Sequence, residues 1–281
     1  MIKRSTVISV LVPASQKDPL ILRDALRVLE KTRVTETELF TPFELVSEMA
    51  KVYADSSVKC AVYPIAGVQK MEGYSLCDFD FMKRKAAVDL IRRSFDAART
   101  LSASKVLITS GRFEGREDDA VKLLTESIET LMDDSDGLEV VLETGDRDVD
   151  AKQLLGSTGL SLNFAEDVRK RHKDFYLTLD TSHLAQLGEE PSDSIKKALH
   201  VSSHVHLATC ILKQGHEYYG DKHPLFSHPD AVFGPDYLER IFNEVNSSAD
   251  HDILIGHEII DRTGERLGSL EKAIKEAPWF F

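Results

Sequence analysis

Four stretches of this chain each carry a short apolar run onto side chains that can bind a metal ion. Leu138-Glu-Val-Val-Leu-Glu143 ends in a carboxylate, and Phe175-Tyr-Leu-Thr-Leu-Asp180 ends in another, followed three residues later by His183. His204-Val-His206 supplies two imidazoles, and Ile253-Leu-Ile-Gly-His-Glu258 closes on an imidazole and an acid. A single acid at the end of an apolar run commonly caps the next helix, whereas the same kind of residue at four consecutive run ends points to a shared site. If the runs are strands, successive side chains face opposite ways, so only one of His257 and Glu258 faces inward, and His204 and His206 share a face at different depths. The choice falls on Glu258 and His206, with His204 read as a packed, hydrogen-bonded core histidine. Glu143, Asp180, His206 and Glu258 then form a set of three carboxylates and one imidazole. Such an oxygen-rich set suits one Mn²⁺, Mg²⁺ or Co²⁺ ion better than a thiolate site would, and is also compatible with Zn²⁺.

Positioning these groups requires strands whose ends converge. Eight β-rich runs are legible: Val7–Val12, Glu36–Thr41, Val58–Pro64, Lys105–Ser110, Leu138–Thr144, Phe175–Thr181, His204–Thr209 and Ile253–Ile259. Between them lie helical patterns such as Ala87, Ile91, Phe95, Ala98 and Leu101, or Val121, Leu124, Ile128 and Leu131, spaced so that one face is apolar. Eight strand–helix units in 281 residues, with several strands nearly continuous in Val, Ile and Leu, predict a single (β/α)8 TIM barrel spanning 1–281. A doubly wound open sheet is the alternative, but the turn Val12-Pro13-Ala14-Ser15 carries neither a dinucleotide fingerprint nor a phosphate-binding glycine loop. In a barrel the C-terminal strand ends meet at one mouth, which is where the four ligand-bearing ends fall.

Composition narrows the partners. A chain with 42% apolar and 29% charged residues is globular, and at this size it buries about 75% of its unfolded surface, so any metal serves chemistry rather than folding. The net charge of −12 argues against nucleic acid. Cys60, Cys77 and Cys210 form no C-x-x-C pair, which suggests a reducing, cytoplasmic setting. The start of the chain reads as a strand rather than a secretory signal because Ser5 and Ser9 interrupt its apolar run, and no run approaches the ~20 apolar residues of a membrane span. A small-molecule substrate is expected, and a homo-oligomer is compatible with the sequence.

The pattern Leu-Glu143, Leu-Asp180-Thr-Ser-His183, His204-Val-His206 and Glu258 resembles the xylose isomerase-like TIM-barrel superfamily, which includes sugar isomerases, sugar epimerases and endonuclease IV-type nucleases. The resemblance covers essentially the whole chain, and its D-x-x-H segment is most similar to the ketose 3-epimerase branch. It implies that Glu143, Asp180, His206 and Glu258 bind one divalent cation, that His183 hydrogen-bonds a substrate hydroxyl or carbonyl, and that Glu143 and Glu258 act as acid and base. A chelated carbonyl acidifies the neighbouring C–H, so proton transfer through an enediolate on a polyhydroxylated carbonyl compound is the activity implied. A dehydratase or lyase on a related hydroxy-keto substrate starts from the same proton abstraction and is the alternative.

Two segments depart from simple connections. Residues 64–80 form one expected loop at the mouth, with Lys70 and Tyr74 read mainly as solvated. Residues 207–233 form the other and are expected to fold over the mouth as a lid that orders on ligand binding. The arginine that epimerases carry shortly after the strand-seven histidine is missing, and Lys213 stands in its region as a substrate-binding candidate. Asp221-Lys222-His223 resembles the D-x-H with which nuclease members hold a further metal, but no histidine occurs before His172, where those members need two more. Asp221 and His223 are therefore expected to touch substrate or to hold the lid, and a phosphodiesterase is the lesser alternative. Glu38 and Arg112 could face the mouth, their orientation open.

Overall fold

Short strands rich in β-branched residues, each followed by a helix with one apolar face, close in a computed structural model into a barrel of eight parallel strands. The structure describes the backbone of residues 1–281 and the side chains of all but position 268. The strands are β1 Ile2–Thr6, β2 Glu36–Glu38, β3 Lys59–Pro64, β4 Lys105–Thr109, β5 Glu139–Glu143, β6 Phe175–Asp180, β7 Ser202–Leu207 and β8 Ile253–His257, each beside its sequence neighbours, with β1 closing on β8. The helices are α1 Ile8–Leu11, α2 Pro19–Leu29, α3 Val46–Ala54, α4 Ala66–Glu72, α5 Phe81–Leu101, α6 Glu117–Asp134, α7 Thr158–Arg169, α8 Thr181–Gln186, α9 Pro191–Ala198, α10 Pro235–Ser248 and α11 Gly268–Glu276. Side chains such as Ile91, Phe95 and Ala98 of α5 and Leu124, Ile128 and Leu131 of α6 bury the outer face of the barrel, as the three-and-four spacing predicts. Asp80 starts α5 by accepting from the backbone N–H groups of Met82 and Lys83.

The first strand is not where apolar content places it. Val7–Val12 is no strand: the chain turns into α1, whose Ile8 and Leu11 share a buried face, and the strand is the polar Ile2–Thr6 before it. The reason lies in the barrel interior, which is polar along one side. Ser5 Oγ donates to Glu38 at 2.7 Å, and Lys105 pairs with Glu139 and reaches Ser203 at 3.1 Å, while the exposed Lys3 donates to Glu36 at 2.6 Å. Apolar residues Val62, Leu107, Val141 and Leu254 fill the rest of the axis. The other expected strands hold within one to three residues at each end, and a register shift between Leu177 and Thr178 on β6 sets His204 opposite Thr178 and His206 opposite Asp180 on β7.

Neither mouth segment is a plain loop. Residues 64–80 contain α4, which brings Lys70 toward the axis. Residues 207–233 lie down over the mouth: Ile211 bridges Tyr219 and Gly220, His223 accepts from the Ile260 N–H at 2.9 Å, and Phe226 is buried with its ring 4.7 Å from that of His257. At the end of α11, the Glu276 carboxylate accepts from the N–H groups of Phe226 and Ser227, each at 3.0 Å, and from Ser227 Oγ at 2.9 Å. Glu276→Ala should therefore lower stability by about 1–3 kcal/mol and speed amide exchange at Phe226 and Ser227, whereas Glu276→Gln, which keeps an acceptor, should do less. Hydrogen-exchange mass spectrometry over that segment measures both.

Candidate metal centre

The register of β5 to β8 carries four side chains to one point. One ligand atom each from Glu143, Asp180, His206 and Glu258 lie within 4.8 Å of one another. His206 is central: its Nδ1 is 2.9 Å from Glu258 Oε2, 3.3 Å from Glu143 Oε1 and 3.8 Å from Asp180 Oδ2. His206 Nδ1, Asp180 Oδ2 and Glu258 Oε2 are buried, and none has a hydrogen-bond partner of acceptable geometry among the described residues. Polar atoms buried in that way are costly unless something joins them. His257, by contrast, faces outward among Phe226, Phe280 and Phe281, and burial there pushes its imidazole down to about 3.

Each member is held from behind. Asp180 caps α8 with one oxygen, Oδ1 accepting from the Ser182 N–H and Oγ at 2.6 Å each and from the His183 N–H at 3.2 Å, which leaves Oδ2 aimed at the centre. His206 Nε2 is fixed by Glu38 Oε2 at 3.0 Å, while His204 Nε2 lies 3.1 Å from Glu38 Oε1 and His204 Nδ1 lies 3.1 Å from Thr178 Oγ1. Glu38 thus faces inward and clamps both histidines. The close approach needs Gly256 on β8, since a Cβ there would fall 2.4 Å from Glu38 Oε1 and 2.8 Å from His206 Cδ2.

Electrostatics match a cation. Burial would push the His206 imidazole down, but the carboxylates of Glu38 and Glu258 outweigh it and hold it well above its ordinary value. Burial would likewise raise Glu143, but the Lys70 ammonium and His206 hold its carboxyl well below the usual range. A ring of acids that draws a proton onto His206 fits a divalent ion at the same place, and the oxygen-rich donor set suits one.

A second group adjoins the first. Ligand atoms of Asp180, His183 and His223 also lie within 4.8 Å of one another, and Asp221 Oδ1 stands 2.5 Å from His223 Nε2 and 3.8 Å from His183 Nε2. Both ring nitrogens of His183 lack partners among the described residues. Burial would lower His223, but Glu258 and Asp221 raise it to about 10.

The structure thus brings together Glu143, Asp180, His206, Glu258, His183, Asp221 and His223. It does not bring in Lys213, whose side chain is 69% exposed and 3.9 Å from Asp230, outside the mouth. Its place as a cation is taken by Lys70, read from sequence as a solvated loop residue: Lys70 Nζ donates to Asp221 Oδ2 at 2.9 Å and to Glu143 Oε2 at 3.4 Å. A helical reading of 66–72 would have been the signal, since it carries Lys70 inward on the face of Ala66 and Gln69. Cys60 and Cys210 are buried, and burial pushes both thiols up to about 12, so neither is a nucleophile.

The sequence matches the family model of the xylose isomerase-like TIM barrel over residues 30–280. No curated protein matches the chain. Among solved structures it is similar to the IOLI protein with a bound zinc atom, at 14% identity and a TM-score of 0.72 over 99% of both chains. It is also similar to the apo form of a 3-keto-D-glucoside 4-epimerase from E. coli, at 12% identity and a TM-score of 0.68 over 99% of this chain and 98% of that one. A family 2 AP endonuclease from Brucella melitensis shares 14% identity with a TM-score of 0.68 over 98% of both chains. At such identities the likeness is one of fold.

Proposed function

The chain belongs to the xylose isomerase-like TIM barrel family, and from that premise and the geometry of its mouth we propose a divalent-metal-dependent sugar isomerase or epimerase. The observation that carries the reading is the convergence of three carboxylates and one imidazole, of which Asp180 Oδ2, His206 Nδ1 and Glu258 Oε2 are buried and unpaired among the described residues. Glu143, Asp180, His206 and Glu258 would hold the ion, which when bound acidifies the C–H beside a chelated carbonyl. Glu143 and Glu258, which approach His206 Nδ1 to 3.3 and 2.9 Å, exchange the substrate proton through an enediolate, one taking it and the other returning it. His183, neither of whose ring nitrogens is paired among the described residues, binds a substrate oxygen, and Asp221 and His223, which line the cavity of Glu143, His206 and Glu258, orient it. The epimerase among the similar structures and the zinc atom in another support this reading without deciding the sugar or the metal.

A nuclease reading is less favoured. The ends of β2, β3 and β4 present Leu39-Phe40, Pro64-Ile65 and Ser110-Gly111 in place of further histidines, and the Lys70 ammonium fills the space beside Glu143. Buried free cysteines fit a reducing, cytoplasmic setting, and among the described residues no helix is long and apolar enough to cross a membrane.

The test is a metal-supplemented screen of ketoses, inososes and hydroxy-keto acids, with solvent deuterium incorporation read by NMR. Exchange at a carbon next to the carbonyl is expected. Metal-loaded protein that exchanges none of them would sink the proposal, and loss of a β-hydroxyl in the product would move it to a dehydratase. Glu38→Gln keeps the shape but removes the charge behind His206, so metal affinity should fall by the ~10–100-fold typical of partners behind a ligand. A titration followed by melting temperature reads it.

A further inference from the structure

Two cavities meet at Lys70. The first, about 310 Å³, is lined by Glu143, His206 and Glu258 together with apolar groups such as Val7, Phe40 and Leu107. The second, about 500 Å³, is lined by Thr109, Arg112, Gln153 and Lys222. Lys70 and Asp221 line both, so their 2.9 Å ion pair is the partition between them. Each volume falls within the ~300–1,000 Å³ of ordinary ligand pockets.

Two buried side chains of the second cavity carry polar atoms that the fold leaves unused. Thr109, 1% exposed, ends β4 on the same face as the interior Leu107 and pairs in register with Glu143; its Oγ1 has no hydrogen-bond partner among the described residues. Gln153, also 1% exposed, has neither Oε1 nor Nε2 paired among the described residues, although its backbone N–H donates to Asp146 at 2.8 Å. The charges that line the cavity balance: Lys70, Arg112 and Lys222 against Glu72, Asp150 and Asp221, with Lys70 paired to Asp221 and Lys222 lying 3.5 Å from Asp150. An anion would meet the acids of those pairs, and an apolar group would leave the amide and hydroxyl unpaired. Hydroxyl groups, which donate and accept, suit all of them.

We propose that the substrate has two units, the reacting carbonyl unit beside Glu143 and a second polyhydroxylated ring, joined through a glycosidic oxygen, in the cavity of Thr109, Gln153 and Arg112. Lys70 donates to oxygens at the junction. This rests on the sugar reading above and names its substrate class.

The test uses metal-loaded protein and calorimetric titration with D-fructose and with turanose, lactulose and isomaltulose, which carry the same ketose unit with a second ring on different hydroxyls. At least one disaccharide should bind about tenfold or more tightly than fructose. Gln153→Leu and Arg112→Ala should each shrink that ratio several-fold. Arg112 is 61% exposed, so its variant folds even if the buried one does not. Disaccharides that bind no more tightly than fructose, or a ratio that survives the substitutions, overturn the proposal. Deuterium exchange separates it from the reading beneath: exchange of fructose with no disaccharide preference keeps the sugar enzyme and removes the second subsite. Tighter disaccharide binding without exchange does the reverse.

Discussion

Replacing Glu143 or Glu258 by glutamine should cut solvent-deuterium exchange at the substrate carbon by at least ~10²-fold, the scale on which positioned acid–base groups act. The amide keeps the side chain's shape, so the barrel and the approach to His206, now 3.3 Å from Glu143 and 2.9 Å from Glu258, change little. What goes is the basic oxygen. Because Asp180 and His206 stay in place, each variant should keep measurable metal binding, which separates loss of a base from loss of a ligand. The Glu143 variant should lose more, since it also strips Lys70 of one of its two acidic partners. Near-normal exchange in either variant would make that glutamate a bystander and end the two-carboxylate mechanism.

His206→Ala should abolish the rise in melting temperature on adding Mn²⁺, Co²⁺, Mg²⁺ or Zn²⁺ to stripped protein. Its Nδ1 is the atom that the three carboxylates surround, and its Nε2 is one of the two imidazole contacts of buried Glu38. A metal at a hundred times its Kd stabilises a folded protein by about 2.7 kcal/mol. For a chain of 281 residues that is a shift of roughly 5 °C by calorimetry. The variant should show almost none of it, and its metal-free form should melt lower than the native protein because Glu38 loses a partner while remaining buried. A metal-induced shift of native size in His206→Ala would place the ion elsewhere.

The barrel and the four converging strand ends are readable in the sequence because buried parallel strands write themselves as apolar runs and each of these runs carries a candidate ligand at or beside its end. Three features escape for physical reasons. The first strand is polar, since Ser5 faces an interior that Glu38 makes hydrophilic and the exposed Lys3 pairs with Glu36, so apolar content points instead to the helical turn after it. Lys70 looks like a loop residue until α4 forms, and its partner Asp221 is 151 residues away. Glu38 gives no signal alone, because its importance lies in contacts with His204 and His206 across the barrel. Lys213 errs the other way: its charge suits a substrate, but the segment turns it outward to Asp230.

Asp180 divides its two oxygens, one closing the start of α8 and the other pointing at the centre. The seat for the ion is consequently assembled when the helix is, by hydrogen bonds that involve no metal. Loading of the proposed site would then resemble entry into a finished receptor, with little change in heat capacity and no refolding step to slow it. Under the proposed function, one kind of metal would give way to another without the barrel coming apart, and the ion bound there would follow the supply of metals as much as the preference of the site.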